Sequence, residues 1–286
     1  MKKVFLTFSD SRMFRSLKRI SAQASSLGVY DEIFAYCEKD LDFGFKERFS
    51  SHLVIGSRGY GYWSWKPQIV LQVLRGMNDG DILQYTDAGC HLNKNGLVRL
   101  EQYFAAAASS RSGLLAFQAK TPELPLKYDG RTLLDLAERK WVKGDLLDYF
   151  GVRDRPEILD SQAIGAGIFF IRKCDESIAL ILKWLAVIET NFSLLNDDVS
   201  KSENPPGFIE HRHDQAIFSI LCKLSNVDTY SAYEYWYPSK LNPVAPDWKA
   251  LECFPIQARR DKDFGFLDYM WGRVKRLYHF AKKVLR

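Results

Sequence analysis

Residues 81–89 read DILQYTDAG, which predicts a buried β-strand over 81–86 that ends at Asp87. A turn sequence, Asn-Asp-Gly, precedes the strand, and the small residues Ala and Gly follow Asp87. Small residues let a bulky ligand approach the backbone, and a carboxylate at a strand tip can hold Mg²⁺ or Mn²⁺ with a diphosphate. A polar turn that ends a strand without a ligand explains these residues equally well. Asp81 begins the strand, at the other end of the sheet, and is not expected to join Asp87.

Strands and helices alternate along the chain on both sides of this segment. This alternation predicts an α/β fold with a Rossmann-type, mostly parallel sheet that helices cover on both faces. Ligands bind beyond the carboxyl ends of the strands in such sheets, so Ser9 and Asp10, which follow the first strand, are expected beside Asp87. Strands are predicted at 4–8, 33–36, 81–86, 114–118 and 166–171, and helices at 11–26, 66–76, 177–190 and 214–224. The helix at 177–190 is expected to bury Ile181, Leu182, Leu185 and Ile188.

The composition of the 286 residues indicates an ordered, near-neutral domain with a basic tail. Hydrophobic residues make up 47% and charged residues 26%, which favours a large core over disorder. Six basic residues and no acid lie in 272–286, so the formal charge of +5 falls to −1 without them. A neutral body argues against nucleic-acid binding. Five scattered cysteines without a metal or redox spacing predict reduced thiols and a cytoplasmic protein.

The segment RGYGYWSWKP, residues 58–67, concentrates two cations, two glycines and four aromatic residues in ten positions. The two glycines allow an unusual backbone conformation. Arg58 and Lys66 can contact a diphosphate, while Tyr62 or Trp65 can stack on a base or a sugar. A packed aromatic loop with snorkelling cations is the alternative. We favour a ligand site, because this composition is costly in a loop without a ligand.

Two further segments place polar or small residues at the start of an apolar element. Gly165 and Gly167 lead into a predicted strand, where a ligand can approach the backbone closely, although a sheet-entry turn is equally compatible. The segment EHRHDQ, residues 210–215, opens a predicted helix that Asp214 can cap. His213 and its neighbours can instead ligate a metal or handle protons, but the spacing alone favours capping.

Taken in order, these segments resemble bacterial glycosyltransferases of the GT-A fold, most closely the family 8-like enzymes and related cell-surface polysaccharide transferases. The resemblance covers residues 4–224, and the order of the motifs is more specific than any one motif. It implies a hexosyltransferase that moves a sugar from a nucleotide-diphosphate donor, foremost a UDP-sugar, to a growing lipopolysaccharide, O-antigen or capsule.

The resemblance also implies roles for individual residues. The acidic motif would hold Mn²⁺ or Mg²⁺ through Asp87, although it contains one acid where the family pattern has two. His213 or His211 would replace a C-terminal histidine ligand that has no clear match. The implied catalytic residues are Asp87 and Asp214, the metal ligands are Asp87 and His213, and the donor-binding residues are Ser9, Asp10, Arg58, Tyr62, Trp65, Lys66, Gly165, Gly167 and Gln215.

The C-terminal residues 261–286 form a separate predicted unit after a transferase domain at 1–260. Their apolar residues recur at helical spacing and their cations fill much of the other face, which predicts a basic amphipathic helix. Such a helix suits an anionic membrane surface, where lipid-linked acceptors lie, so a peripheral protein on the cytoplasmic face of the inner membrane is expected. Packing of this helix on the domain or on a second subunit is the alternative.

Two other classes of protein remain compatible with these patterns. A nucleotidyltransferase that acts on sugar phosphates also uses a parallel sheet, a metal carboxylate and basic phosphate contacts. It usually has a glycine-rich basic loop after the first strand, and Ser9-Asp10-Ser11-Arg12 is not one. A non-catalytic glycan-binding module would need the aromatic residues but neither nucleotide nor metal.

Overall fold

The computed structural model describes residues 1–261. The predicted amphipathic tail from residue 262 onwards therefore lies outside the described residues. The strands are β1 Lys3–Phe8, β2 Glu32–Tyr36, β3 Ile82–Thr86, β4 His91–Leu92, β5 Leu114–Gln118, β6 Ile164–Arg172, β7 Asp228–Ser231 and β8 Ile256–Gln257. The helices are α1 Phe14–Leu27, α2 Phe43–Arg48, α3 Gly59–Tyr62, α4 Trp65–Gly76, α5 Leu97–Ser109, α6 Gly144–Phe150, α7 Pro156–Leu159, α8 Asp175–Thr190 and α9 His213–Leu224.

Six strands form one central sheet in the order β2-β1-β3-β6-β5-β7. Strand β6 runs antiparallel to both of its neighbours, and all the other pairs in this sheet are parallel. The predicted α/β fold with a mostly parallel sheet flanked by helices is confirmed. The antiparallel direction of β6 was not predicted, because the local pattern of a buried strand does not depend on its direction.

Successive side chains of each strand point to opposite faces, so two apolar layers enclose the sheet. In β6, Phe169 joins the layer that contains α4, α8 and α9, whereas Phe170 joins the layer that contains α1 and α5. The expected inward residues of α8 are buried with one exception. Leu182 is 47% exposed, so its predicted inward orientation is wrong.

One edge of the sheet gathers several segments that the sequence singled out. Strands β1 and β3 are parallel, so Ser9 and Asp87, the residues that follow them, lie at the same edge. Strand β6 runs the other way and therefore begins at this edge, where the Asp87 amide donates to the Gly167 carbonyl at 2.8 Å. Asp81 lies at the far end of β3, as predicted, where it accepts from the backbone amides of Lys2 and Asn78.

The two-stranded sheet of β4 and β8 brings the end of the described chain back to this edge. Asn93 holds the segment before β8 in place, because its side-chain amide donates to the carbonyls of Glu252 and Phe254. Gly96 packs so tightly there that an added Cβ would lie 2.1 Å from the nitrogen of Pro255. The lack of a side chain at Gly96 therefore lets the returning segment approach.

We expect Gly96→Ala to lower the free energy of unfolding by about 1–3 kcal/mol, because the new methyl group overlaps the backbone of Pro255. Gly76→Ala is the matched control: Gly76 ends α4, and nothing lies within 4 Å of an added Cβ. Its free energy of unfolding should be unchanged or higher by up to about 1 kcal/mol. Urea unfolding followed by circular dichroism measures both, and equal stabilities would contradict the described packing.

Candidate active site

A cleft of about 470 Å³ opens at the edge where β1 and β3 end and β6 begins. Asp87 and Arg58 both line it. Of the predicted site residues, Tyr62 does not line the cleft, because its ring packs against Phe192 and His213. The predicted residues that do line it are Ser9, Asp10, Arg58, Trp65, Lys66, Asp87, Gly165, Gly167, His213, Asp214 and Gln215.

A buried ammonium group lies on the wall of this cleft. Lys66, at the start of α4, donates from Nζ to Asp214 Oδ2 at 2.6 Å and to the Ala166 carbonyl at 3.0 Å. The same Nζ lies 3.4 Å from Asp87 Oδ1. Lys66 is 2% exposed and Asp214 8%, whereas the side chain of Asp87 is 40% exposed. The three side chains thus form a charge cluster in which Asp87 is the member that solvent reaches.

The burial of this cluster shifts its acid–base equilibria. Burial raises the pKa of Asp214 to about 6, although the charge of Lys66 opposes the shift. Burial alone would lower the pKa of Lys66, but the charges of Asp214 and Asp87 outweigh it and the pKa is raised. Lys66 is therefore cationic, and Asp214 is mostly ionised, at neutral pH.

Asp214 does not cap α9 as the spacing favoured. Arg212 is the N-cap residue and α9 begins at His213, which places Asp214 inside the first helical turn. A carboxylate is favoured there by the helix dipole. The carboxylate of Asp214 accepts a hydrogen bond from Lys66, which lies 148 positions earlier in the chain. No local sequence pattern could predict this partner.

The two glycines of β6 make room for neighbouring protein groups. A Cβ at Gly167 would lie 2.7 Å from Asp87 Oδ2, and one at Gly165 would lie 2.6 Å from the hydroxyl of Tyr235. Asp87 Oδ1 meanwhile accepts from the Tyr85 hydroxyl at 2.7 Å. Asp87 and Tyr235 therefore approach the backbone at these glycines, where the sequence predicted a ligand or a sheet-entry turn.

The segment at 59–63 has a left-handed helical backbone. All five φ angles are positive, from 50° at Tyr60 to 82° at Gly61, and the amide of Trp63 donates to the carbonyl of Gly59 at 3.1 Å. This conformation costs a residue with a side chain about 1–2 kcal/mol. The unusual backbone predicted from the two glycines is confirmed. It turns the ring of Trp63 onto Gly59, where an added Cβ would lie 2.4 Å from the ring.

The remaining predicted residues have partners of their own. Arg58 Nη1 lies 3.2 Å from Asp197 Oδ1 in an exposed ion pair. His213 places Nδ1 2.8 Å from the Leu195 carbonyl and Nε2 3.6 Å from Asp197, and burial lowers its pKa. Nδ1 therefore donates to the Leu195 carbonyl, whereas the buried Nε2 has no hydrogen-bond partner within residues 1–261. Residues 1–261 contain no group of three or more His, Cys, Asp or Glu side chains arranged to hold a metal ion.

The cleft also contains residues that the sequence patterns did not identify as a site. Arg260 lies in the segment that follows β8 and lines the cleft. The amide of the next residue, Asp261, donates to the Gly89 carbonyl at 3.1 Å. Arg212 packs its guanidinium 4.1 Å from the centroid of the Trp141 ring. Arg212 lay inside the EHRHDQ segment, so the cluster of charges there was a usable signal, whereas nothing local marks Arg260. The other unpredicted lining residues with ionisable side chains are Arg12, Cys90, Glu210 and Tyr235, together with Tyr60 from the segment RGYGYWSWKP.

No protein-family model matches the chain, and no curated protein matches it. Several solved structures are similar in fold. A glycosyltransferase involved in glycosylation of the major capsid of PBCV-1 is 6% identical, with a TM-score of 0.46 over 90% of this chain and 92% of that chain. Mouse xyloside xylosyltransferase 1 is 9% identical, with a TM-score of 0.41 over 82% and 86% of the two chains.

The galactosyltransferase LgtC, in complex with donor and acceptor sugar analogues, is 13% identical, with a TM-score of 0.37 over 82% of this chain and 74% of that chain. A structure described as mannose-6-phosphate isomerase from Helicobacter pylori is also 13% identical, with a TM-score of 0.33 over 69% and 82% of the two chains. Three of these four proteins are glycosyltransferases, the class named by the sequence resemblance. None of them confirms the family 8 grouping.

We expect Asp214→Asn to lower the free energy of unfolding by about 3–5 kcal/mol, because it leaves the buried ammonium of Lys66 without its closest counter-charge. Asp197→Asn, which alters the exposed pair with Arg58, should cost about 1 kcal/mol or less. Denaturant unfolding at neutral pH compares the two variants. Equal losses would show that the Lys66–Asp214 pair is not the buried interaction described.

Proposed function

We propose that this protein transfers a sugar from a nucleotide-diphosphate donor, a UDP-sugar, to a bacterial surface glycan. The observation that carries the proposal is the convergence of Lys66, Asp87 and the arginines of the cleft at the carboxyl edge of β1 and β3. Ligands of parallel α/β sheets bind at this edge. Among residues 1–261, five basic side chains and four acidic ones line the cleft. The basic ones suit an anionic ligand of diphosphate type: Arg12, Arg58, Lys66, Arg212 and Arg260.

Further features of the cleft support a nucleotide-sugar ligand. Trp65 stacks on Phe8 with 3.9 Å between the ring centroids, and both residues line the cleft beside Tyr60 and Trp63. Aromatic faces of this kind can carry a base or a sugar. The buried hydroxyl of Ser9 has no hydrogen-bond partner within residues 1–261, so it is open to a ligand that enters the cleft.

The proposed reaction breaks the bond between the anomeric carbon and the diphosphate, and the bonding electron pair leaves with the diphosphate. The acceptor hydroxyl oxygen forms the new bond, and its proton passes to the leaving diphosphate or to a carboxylate of the cleft. Asp87 is the more exposed carboxylate, while Asp214 is engaged by Lys66. We therefore assign Asp214 to holding Lys66 and not to the role of base. The cations of the cleft oppose the negative charge that develops on the diphosphate.

The described residues do not fit a Mn²⁺ or Mg²⁺ ion at Asp87. These ions need several oxygen ligands, but Asp87 Oδ1 accepts from Tyr85 and Asp214 faces Lys66. The predicted second ligand, His213, has an unpartnered Nε2, but residues 1–261 contain no third His, Cys, Asp or Glu side chain that completes a metal-binding group. We therefore assign a metal ion no role in the proposed reaction.

We propose further that the acceptor is lipid-linked and that the basic residues of 272–286 bind the cytoplasmic face of the inner membrane. The support is the charge and apolar spacing of that segment. Within residues 1–261 no helix is long and apolar enough to cross a bilayer. Sedimentation with anionic liposomes, with and without the residues after Asp263, tests the proposal. Equal binding of the two forms would reject the role of the tail.

We expect Arg58→Ala to weaken UDP binding by about 1.5–3 kcal/mol, roughly 10- to 100-fold, because it removes a charged hydrogen-bond donor from the cleft. Arg48→Ala is the control, since Arg48 forms a surface pair with Glu189 and does not line the cleft. Isothermal titration calorimetry measures both affinities.

An unchanged affinity in Arg58→Ala would remove this residue from the diphosphate site. Stabilisation of the wild-type chain by free glycans and not by UDP or GDP, in a thermal-shift screen, would favour a glycan-binding module and contradict the proposed transfer.

A further inference from the structure

The position next to Asp87, where a divalent ion would have to lie, adjoins an ammonium group of the protein. Lys66 Nζ is 3.4 Å from Asp87 Oδ1 and 2.6 Å from Asp214 Oδ2, and Lys66 lines the cleft. A metal ion bound to Asp87 would therefore face a positive charge at short range. Two cations that share one carboxylate repel each other, so the ammonium of Lys66 disfavours a metal ion at Asp87.

The hydrogen-bond geometry of Lys66 leaves it capacity for a ligand. An ammonium group has three donors. Two of them serve Asp214 and the Ala166 carbonyl at 2.6 and 3.0 Å, and within residues 1–261 the third faces Asp87 at the longer distance of 3.4 Å. A phosphate oxygen in the cleft can take this third donor.

Asp214 and the neighbouring rings keep the ammonium in place. Lys66 Nζ lies 5.2 Å from the ring centroid of Tyr85 and 5.8 Å from that of Trp65, within cation–π range. A buried ammonium with a counter-ion, a carbonyl acceptor and aromatic faces is fixed before any ligand arrives. Such a fixed charge is the kind of group that stabilises charge developing in a reaction without reorganising.

From these observations we infer that the ammonium of Lys66 takes the place of a divalent cation, so that the protein binds a nucleoside diphosphate and transfers sugar without a metal ion. The inference rests on the proposed function. It assigns Lys66 as the group that contacts the diphosphate and Asp214 as a positioning residue for Lys66. This assignment also explains why the motif around Asp87 has a single acid. A metal ion would need a second carboxylate there, whereas Asp87 has the ammonium of Lys66 beside it.

The test is calorimetric titration of the full chain with UDP, once in EDTA and once in Mn²⁺. We expect affinities that agree within about twofold, since the cation is part of the protein. Electron paramagnetic resonance of Mn²⁺ titrated with the protein and UDP should show no protein-dependent loss of the free-ion signal. Binding that requires Mn²⁺ would overturn the inference and leave the proposed function intact, whereas no binding in either buffer would overturn both.

A pair of lysine variants separates the charge from its structural role. Lys66→Met keeps the length of the side chain and should lower UDP affinity in EDTA at least tenfold. Lys223→Met is the control, because Lys223 is a half-buried lysine paired with the buried carboxylate of Glu138, and it does not line the cleft. Equal UDP affinity in both variants would overturn the assignment of Lys66. If Lys66→Met does not fold, as judged by circular dichroism, the comparison of EDTA with Mn²⁺ in the wild-type chain decides.

Discussion

The ammonium of Lys66 joins the parts of the molecule that form the cleft. It extends from α4, contacts Asp214 on α9 and the carbonyl of Ala166 on β6, and approaches Asp87 at the end of β3. Transfer of an unpaired ammonium from water into a protein interior is costly, so its burial depends on all of these partners. The same contacts that make burial possible set the distances among the charges of the cleft.

The direction of β6 is the second constraint. Because β6 is antiparallel to β3, it begins where β3 ends, and Thr86 pairs with Ile168. The carboxylate of Asp87 therefore packs against Gly167, and Gly167 has no side chain that would displace this carboxylate. The return of the chain through β8 then brings Arg260 to the same edge. An acid, an ammonium and a guanidinium meet there from segments far apart in sequence.

The sequence predicted the elements whose residues repeat with a clear period, and it predicted that Ser9 and Asp87 would meet, because both follow strands of one sheet. It did not predict the direction of β6 or the arrival of Arg260, since both depend on contacts between distant segments. Leu182 fits the apolar spacing of α8 but is exposed. The apolar spacing marks a wider face of the helix than the face that packs against the rest of the protein. Tyr62 lies outside the cleft because its ring packs against Phe192 and His213, which are distant in sequence. The burial of Lys66 was not predicted, because an isolated lysine is expected at the surface.

We infer that the cleft holds a nucleoside diphosphate on the fixed charge of Lys66. A crystal structure of the full chain with UDP, grown in the presence of Mn²⁺, tests it most directly. We expect a phosphate oxygen within about 3 Å of Lys66 Nζ, with no Mn²⁺ between the phosphates and Asp87. UDP bound away from this edge of the sheet, or phosphates joined to Asp87 through Mn²⁺ and separated from Lys66, would contradict it.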